Sequence, residues 1–339
     1  MNPLGLPAFI GPYVGGKGGT RYFRQFGACW QSLICDQIGH YDVIVEPFAG
    51  SGAATWQHHH GIKNAIAGDI DPGVLAVVKC WASFDLRCGV QWWLDLFREK
   101  VKNDPQGAFE DLCDRYNRWD QIDIDPAWRA ALYLTLKRLV FGGVLRCNKR
   151  GKLNVALSQD KLNSYLQGWQ YIWPNNGVER LDIHGGWEAA VQALADGDYS
   201  NALVVIDPPY YDPQEWDEVR KDGRIVRSRM TAAYPGHNPQ SINELEMCVD
   251  CLNATLATGK ASRIVVFNYW SDELNKQIKE VFDRHYDANR LSWFQSSLGF
   301  LGGMNNAQKF HKRNTEHVWE IGGKRMFQDW NAVQQLAFA

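Results

Sequence analysis

One stretch of the chain, residues 203–212 with the sequence LVVIDPPYYD, constrains the fold more than any other. Its first four residues are apolar without alternation, which is typical of a strand buried on both faces of a parallel sheet. Pro208 and Pro209 cannot extend a hydrogen-bonded ladder, so the chain leaves the sheet in a stiff turn. That turn presents the Asp207 carboxylate and the Tyr210 ring. Taken alone, the pattern also fits an ordinary surface turn.

A second strand and turn lie at residues 41–55, YDVIVEPFAGSGAAT. Gly50 and Gly52 let the backbone pass close to a ligand at the carboxyl edge of a sheet. Another strand pattern, AIAGDID, follows and places Asp69 about twenty residues after Gly50, where an acid meets the ribose hydroxyls of a nucleoside. Asp69 could instead cap the helix predicted to start near Pro72. The upstream glycines favour ribose binding.

The order strand, glycine turn, helix, strand, acid predicts a doubly wound α/β sheet that binds an adenosine-type ligand. Two chemistries fit this order. A dinucleotide dehydrogenase requires a third glycine at position 55, where the chain has Thr55. The FAGSG turn together with DPPY fits a methyl donor better.

The glycine-rich residues 9–23 nearly match a phosphate-binding loop around Lys17. Gly18 stands where that loop requires Ser or Thr, and no strand pattern precedes it. A loop whose backbone approaches a small polar or anionic ligand remains open.

The net charge of −2, from 36 Lys and Arg against 38 Asp and Glu, does not indicate a nucleic-acid partner. Residues 126–159, however, contain no acid and seven basic side chains. Mixed signs are usual on a solvated helix face, so this local excess favours contact with a phosphate backbone. The predicted contacts are Arg129, Lys137, Arg138, Arg146, Asn148, Lys149, Arg150, Lys152 and Asn154.

Three motifs, FAGSG at 48–52, Asp69, and DPPY at 207–210, occur in the order found in a known family. Together they resemble the S-adenosylmethionine-dependent DPPY-type DNA adenine-N6 methyltransferases of the Dam-like kind. The stretch from Arg146 to Val155 also resembles the R-x-N-x-x-G-x-[FL]-N-V segment of those enzymes. The resemblance implies a donor pocket lined by Tyr13, Lys17, Glu46, Phe48, Gly50, Gly52, Asp69, Ile70 and Asp207.

The resemblance implies a mostly parallel, Rossmann-like methyltransferase sheet with an inserted, mainly helical DNA-recognition domain. We predict a discontinuous catalytic domain, 1–81 and 181–323, around an insertion at 82–180, followed by a tail at 324–339. Residues 213–236 show no clear period and are predicted to form a mobile loop over the site. Residues 291–294 and 317–321 are predicted to form a closing antiparallel pair.

The predicted activity is methyl transfer from S-adenosylmethionine to N6 of an adenine flipped out of duplex DNA, with no metal required. Asp207, Pro208, Pro209 and Tyr210 are the predicted catalytic residues. Methylation of cytosine N4, of RNA or of a protein amide remains an alternative, as does a non-catalytic DNA-binding protein on the same scaffold. A companion restriction endonuclease and monomeric action on DNA are further expectations.

The eight cysteines show no disulfide spacing, and the N-terminus lacks the pattern of a secretion signal. No apolar run has the length of a membrane span. These features predict a cytoplasmic protein with reduced thiols, in a prokaryotic or phage-encoded setting.

Overall fold

The computed structural model describes twelve segments of the chain. These are residues 41–50, 63–81, 83–118, 125–143, 145–148, 151–167, 180–209, 216–219, 225–228, 243–285, 293–299 and 316–322.

The described residues form one large sheet and one small sheet. The strands are β1 (Val43–Glu46), β2 (Asn64–Gly68), β3 (Arg180–His184), β4 (Ala202–Ile206), β5 (Trp216–Val219), β6 (Ile225–Ser228), β7 (Ala261–Tyr269), β8 (Trp293–Gly299) and β9 (Glu316–Ile321). The large sheet has the strand order β3-β2-β1-β4-β7-β9-β8, and β5 pairs with β6.

Five neighbouring strands of the large sheet, β3, β2, β1, β4 and β7, run parallel. Strand β9 then pairs antiparallel with both β7 and β8. The predicted antiparallel pair is therefore present, although β8 begins two residues later and extends further than expected. A buried ion pair between Arg263 and Glu320 joins β7 to β9, with side-chain exposures of 1% and 0%.

Eight α-helices lie within the described residues. They are α1 (Pro72–Trp81), α2 (Phe84–Asn103), α3 (Pro105–Asn117), α4 (Pro126–Leu139), α5 (Gln159–Leu166), α6 (Trp187–Asp196), α7 (Glu244–Ala257) and α8 (Asp272–His285).

The helices form two hydrophobic clusters with alternate residues of the sheet. Ile66 belongs to the cluster with α6, α7 and α8, whereas the next residue, Ala67, belongs to the cluster with α1 to α5. Successive side chains of a strand point to opposite faces, so the two clusters cover the two faces. The predicted α/β doubly wound sheet is confirmed.

Helix α4 lies at the centre of the hydrophobic cluster formed by α1 to α5. Its first residue is Pro126, since proline is favoured in the first turn of a helix. Asp125 caps this end, and its carboxylate accepts a hydrogen bond from Ala127 N at 3.0 Å. It packs on α1, α2, α3 and α5. Most of its side chains are buried, because it has helical neighbours on several sides. The domain boundaries at 81 and 181 stay predictions.

Two described parts of residues 213–236, the range predicted to be a loop, are strands. Strands β5 and β6 form an antiparallel pair in which Asp217 lies opposite Arg227. Polar residues dominate the segment, so its strands lack the apolar alternation by which strands are recognised.

Within the described ranges, every helix is too short or too polar to span a lipid bilayer.

Candidate active site

Three acids lie at the carboxyl edge of the parallel strands. Glu46 is the last residue of β1, Asp69 follows β2, and Asp207 follows β4. Glu46 pairs in register with Ala67, and Ile206 with Val266, so these strand ends reach the same edge. Ligands of open α/β sheets bind at this edge.

The turn after β1 is hydrogen-bonded to the end of β2. Ala49 N donates to Gly68 O at 2.7 Å, and Gly50 N donates to Asp69 Oδ2 at 2.7 Å. Gly50 has φ of 49°, a conformation that glycine adopts without a steric penalty. Phe48 packs against the cluster of α6 to α8, whereas Ala49 belongs to the opposite one. The glycine turn is thus fixed between the two layers.

The Asp69 carboxylate is held by backbone donors on both oxygens. Besides the bond from Gly50, Oδ1 accepts a hydrogen bond from Asp71 N at 2.8 Å. Burial raises the pKa of Asp69 to about 6, and the hydrogen bonds from Asp71 and Gly50 partly oppose that shift. Asp69 as a whole residue is partly buried, and it lies at the sheet edge where ligands of such folds bind. Ile70 beside it is 43% exposed.

A second acid, Asp71, lies directly behind Asp69 and was missed by the sequence analysis. It is 1% exposed and accepts a hydrogen bond from the Tyr133 hydroxyl of α4 at 2.8 Å. The DID triplet at 69–71 is visible in the sequence. Nothing in a single sequence, however, relates Asp71 to an aromatic residue 62 positions later.

The predicted catalytic turn begins directly after β4. The Asp207 side chain is partly buried and Pro208 is buried. Asn268 on β7 is fully buried and hydrogen-bonds the Cys248 thiol of α7. Burial raises the pKa of Cys248 to about 12, opposed by that hydrogen bond and aided by the nearby charge of Asp207. Asn268 and Cys248 are therefore neighbours of the predicted catalytic turn. The sequence analysis did not select either residue.

Several predicted site residues lie outside the described residues. These are Tyr13, Lys17, Gly52 and Tyr210 around the donor and target, and Lys149 and Arg150 in the basic segment.

Two described stretches near the end of the basic segment, 146–148 and 151–154, pair in antiparallel fashion, and we call them the basic hairpin. Asn148 N donates to Lys152 O at 2.7 Å, and Asn154 N donates to Arg146 O at 2.8 Å. Gly151 has φ of 72° and closes the turn through a bond from its N–H to Asn148 O at 2.9 Å. Four predicted DNA contacts on it are exposed: Arg146, Asn148, Lys152 and Asn154.

Among the predicted DNA contacts, the side chain of Lys137 is 5% exposed and lies beneath the protein surface. Burial lowers its pKa, while the charges of Asp71 and Asp69 raise it. Arg129 is partly buried, and Arg138, the residue after Lys137, is exposed. The basic segment therefore divides into an inward-facing lysine and an outward-facing surface.

The glycine turn, the acid after β2 and the Asp-Pro-Pro turn after β4 meet at one edge of a mostly parallel sheet. This combination defines the class as a Rossmann-like methyltransferase. Residues 31–234 match the family described as D12 class N6 adenine-specific DNA methyltransferase. The match covers more than half of the chain, so the chain belongs to this family and is an adenine-specific DNA methyltransferase. A comparison with curated proteins found no match.

Proposed function

We propose that the enzyme transfers a methyl group from S-adenosylmethionine to the N6 amino group of an adenine flipped out of duplex DNA. The observation that carries this proposal is the fixed Gly50–Asp69 contact at the same sheet edge as Asp207. The Gly50–Asp69 contact gives one end of the site the features of a nucleoside pocket. Asp207 gives the other end an acid that is suited to the target amine.

Asp69 and the glycine turn fit the adenosine part of the donor. The carboxylate keeps lone pairs beyond those used by Gly50 and Asp71, and these can accept hydrogen bonds from ribose hydroxyls. Bound S-adenosylmethionine supplies an electrophilic methyl group as part of a sulfonium. We assign the donor pocket to Tyr13, Lys17, Glu46, Phe48, Gly50, Gly52, Asp69, Ile70 and Asp207.

Asp207 and the Pro208 carbonyl are assigned to the target adenine. The amino nitrogen of adenine is a poor nucleophile because its lone pair is delocalised into the ring. Hydrogen bonds from the amino group to these two acceptors draw the nitrogen toward tetrahedral geometry and direct its lone pair at the methyl group. Pro208 and Pro209 stiffen the turn, and Tyr210 stacks on the base. In-line placement of the two reactants contributes much of the rate.

The basic hairpin and Arg138 are assigned to the DNA backbone. Exposed cations on a short hairpin attract phosphates and release counterions when they bind. The target base has to leave the stack because its amino group is not accessible to the donor inside the duplex.

Methyl transfer from labelled S-adenosylmethionine tests this function. Unmethylated genomic DNA, RNA and protein are incubated separately with the enzyme, and the nucleic acids are then digested to nucleosides. We expect label only in N6-methyldeoxyadenosine from DNA. Label in N4-methyldeoxycytidine, in RNA or in protein would contradict the assignment of substrate. Once a target sequence is known, increased fluorescence of 2-aminopurine at the target position is expected for a flipped base.

A further inference from the structure

Lys137 of helix α4 lies beside Tyr133, which contacts the acids after β2. Its Nζ lies 5.5 Å from the centroid of the Tyr133 ring, which is one helical turn earlier. This distance allows a cation–π contact in a desolvated position. The Tyr133 hydroxyl donates a hydrogen bond to Asp71 Oδ2 at 2.8 Å. Two residues of the inserted helical segment thus face the acids that follow β2.

The contacts continue from Asp71 to the glycine turn. Asp71 Oδ1 accepts a hydrogen bond from Gly73 N at 2.8 Å, and Asp71 N donates to Asp69 Oδ1 at 2.8 Å. Asp69 Oδ2 in turn accepts from Gly50 N. An unbroken series of contacts therefore joins α4 to the backbone that faces the donor.

The two acids and the lysine influence one another electrostatically. Burial raises the pKa of both Asp69 and Asp71, and the charge of Asp69 raises that of Asp71 further. Lys137 opposes these shifts at both acids. The Cys147 thiol also faces Asp71, and burial and Asp71 together raise the pKa of Cys147 to about 11, which keeps that thiol neutral. Lys137 thus favours the charged form of a buried acid pair.

We propose that Lys137 is a positioning residue for the methyl donor: from helix α4, through Tyr133 and Asp71, it holds the Asp69 carboxylate where that group can accept the ribose hydroxyls. This inference rests on the proposed function. It assigns to one lysine of the basic segment a role in donor binding instead of DNA binding.

Calorimetric titration with S-adenosylhomocysteine between pH 5 and 8.5 tests the role of Lys137. Lys137→Met removes the positive charge, so the pH midpoint of ligand binding should move upward by about one unit. A midpoint moved from about 6 to about 7 weakens binding at pH 6 about fivefold. The KM for the donor should rise, while kcat at saturating donor stays within about twofold. Lys137→Arg, which keeps the charge, should restore the midpoint.

Asp71→Asn separates the charge of Lys137 from that of Asp71. The pKa of Asp69 is lowered by the charge of Lys137, whereas Asp71, with its own pKa of about 7, is largely neutral while Asp69 titrates. The midpoint should therefore stay near the wild-type value in Asp71→Asn. It should move upward in the double variant Asp71→Asn with Lys137→Met, as in Lys137→Met alone. An upward shift that appears only when the lysine charge is lost is not expected from a general loss of stability.

Arg138→Met is the matched control, because this neighbouring residue is exposed. It should leave the midpoint unchanged and weaken DNA binding. Wild-type protein that binds no S-adenosylhomocysteine would overturn both the proposed donor and the role of Lys137. Wild-type binding with an unchanged midpoint in Lys137→Met, alone and in the double variant, would overturn the role of Lys137 alone. Weaker DNA binding by Lys137→Met with unaltered donor binding would do the same.

Discussion

The charge cluster of Asp69, Asp71 and Lys137 lies largely out of solvent, whereas the basic hairpin at 146–148 and 151–154 presents its charges to solvent. In the cluster, Asp71 is 1% exposed and Lys137 is 5% exposed. On the hairpin, Arg146 and Lys152 are exposed to solvent. Both regions come from the same short part of the chain, since Lys137 precedes Arg146 by nine residues.

The difference between the two regions is one of solvation. Desolvated charges interact strongly, and removal of one partner leaves the others uncompensated. Exposed charges are screened by salt and contribute separately. We therefore expect a single change at the sheet edge to have a large, specific effect, and a single change on the hairpin to have a small effect that depends on ionic strength.

The largest effect is expected from Asp207→Ala at the catalytic turn. Loss of the acceptor for the target amine should lower methyl transfer by more than about 100-fold, the scale measured for loss of one well-placed transition-state hydrogen-bonding group. Binding of DNA and of donor should remain measurable. Asp198→Ala is the control, because Asp198 is exposed and lies before the opposite end of β4. Near-normal turnover of Asp207→Ala would contradict the mechanism.

Gly73→Ala tests the packing beneath the charge cluster. A Cβ at position 73 would lie 2.0 Å from Cδ2 of Tyr133, so the ring and its bond to Asp71 have to move. We expect a loss of about 1–3 kcal/mol in the free energy of unfolding, measured by urea denaturation. Gly185→Ala is the control, since an added Cβ there meets no heavy atom within 4 Å. Equal stability of the two variants would show that the Tyr133 contact is not tightly packed.

Donor binding is expected to depend on pH through Asp69, whereas the exposed cations of the basic hairpin keep their charge over the same range. The raised pKa of Asp69, about 6, means that the acid gains its proton on acidification well before a solvated aspartate does. Donor affinity should therefore be constant above this value and fall about tenfold for each pH unit below it. Calorimetry across this range measures the effect. Constant affinity down to pH 4.5 would exclude the Asp69 carboxylate as an essential acceptor.

The smallest effects are expected on the basic hairpin. Arg146→Ala and Lys152→Ala should each weaken DNA binding a few-fold and reduce the slope of log K against log salt by about 1. Donor binding should be unaffected. Lys102→Ala is the control, because this lysine is 64% exposed on α2, outside the hairpin. An equal loss of affinity in the control would indicate a general charge effect.

Local sequence was sufficient for the strands that carry the site. Runs such as VIVE at 43–46 and ALVVI at 202–206 are buried throughout, and each is followed by residues that break a strand. Their pattern depends on burial along the strand itself, so it can be recognised from neighbouring residues. The β5–β6 hairpin lacks this pattern and was predicted as a loop.

The sequence by itself determined the α/β class, the positions of Asp69 and Asp207 at strand ends, and the basic character of residues 126–159. Only the tertiary structure decided which of those basic residues face the solvent. Lys137 and Arg138 are adjacent in sequence, but α4 is enclosed by four helices and turns the first toward Asp71. The direction of a side chain on a helix depends on what packs around that helix, and this packing joins residues more than 60 positions apart.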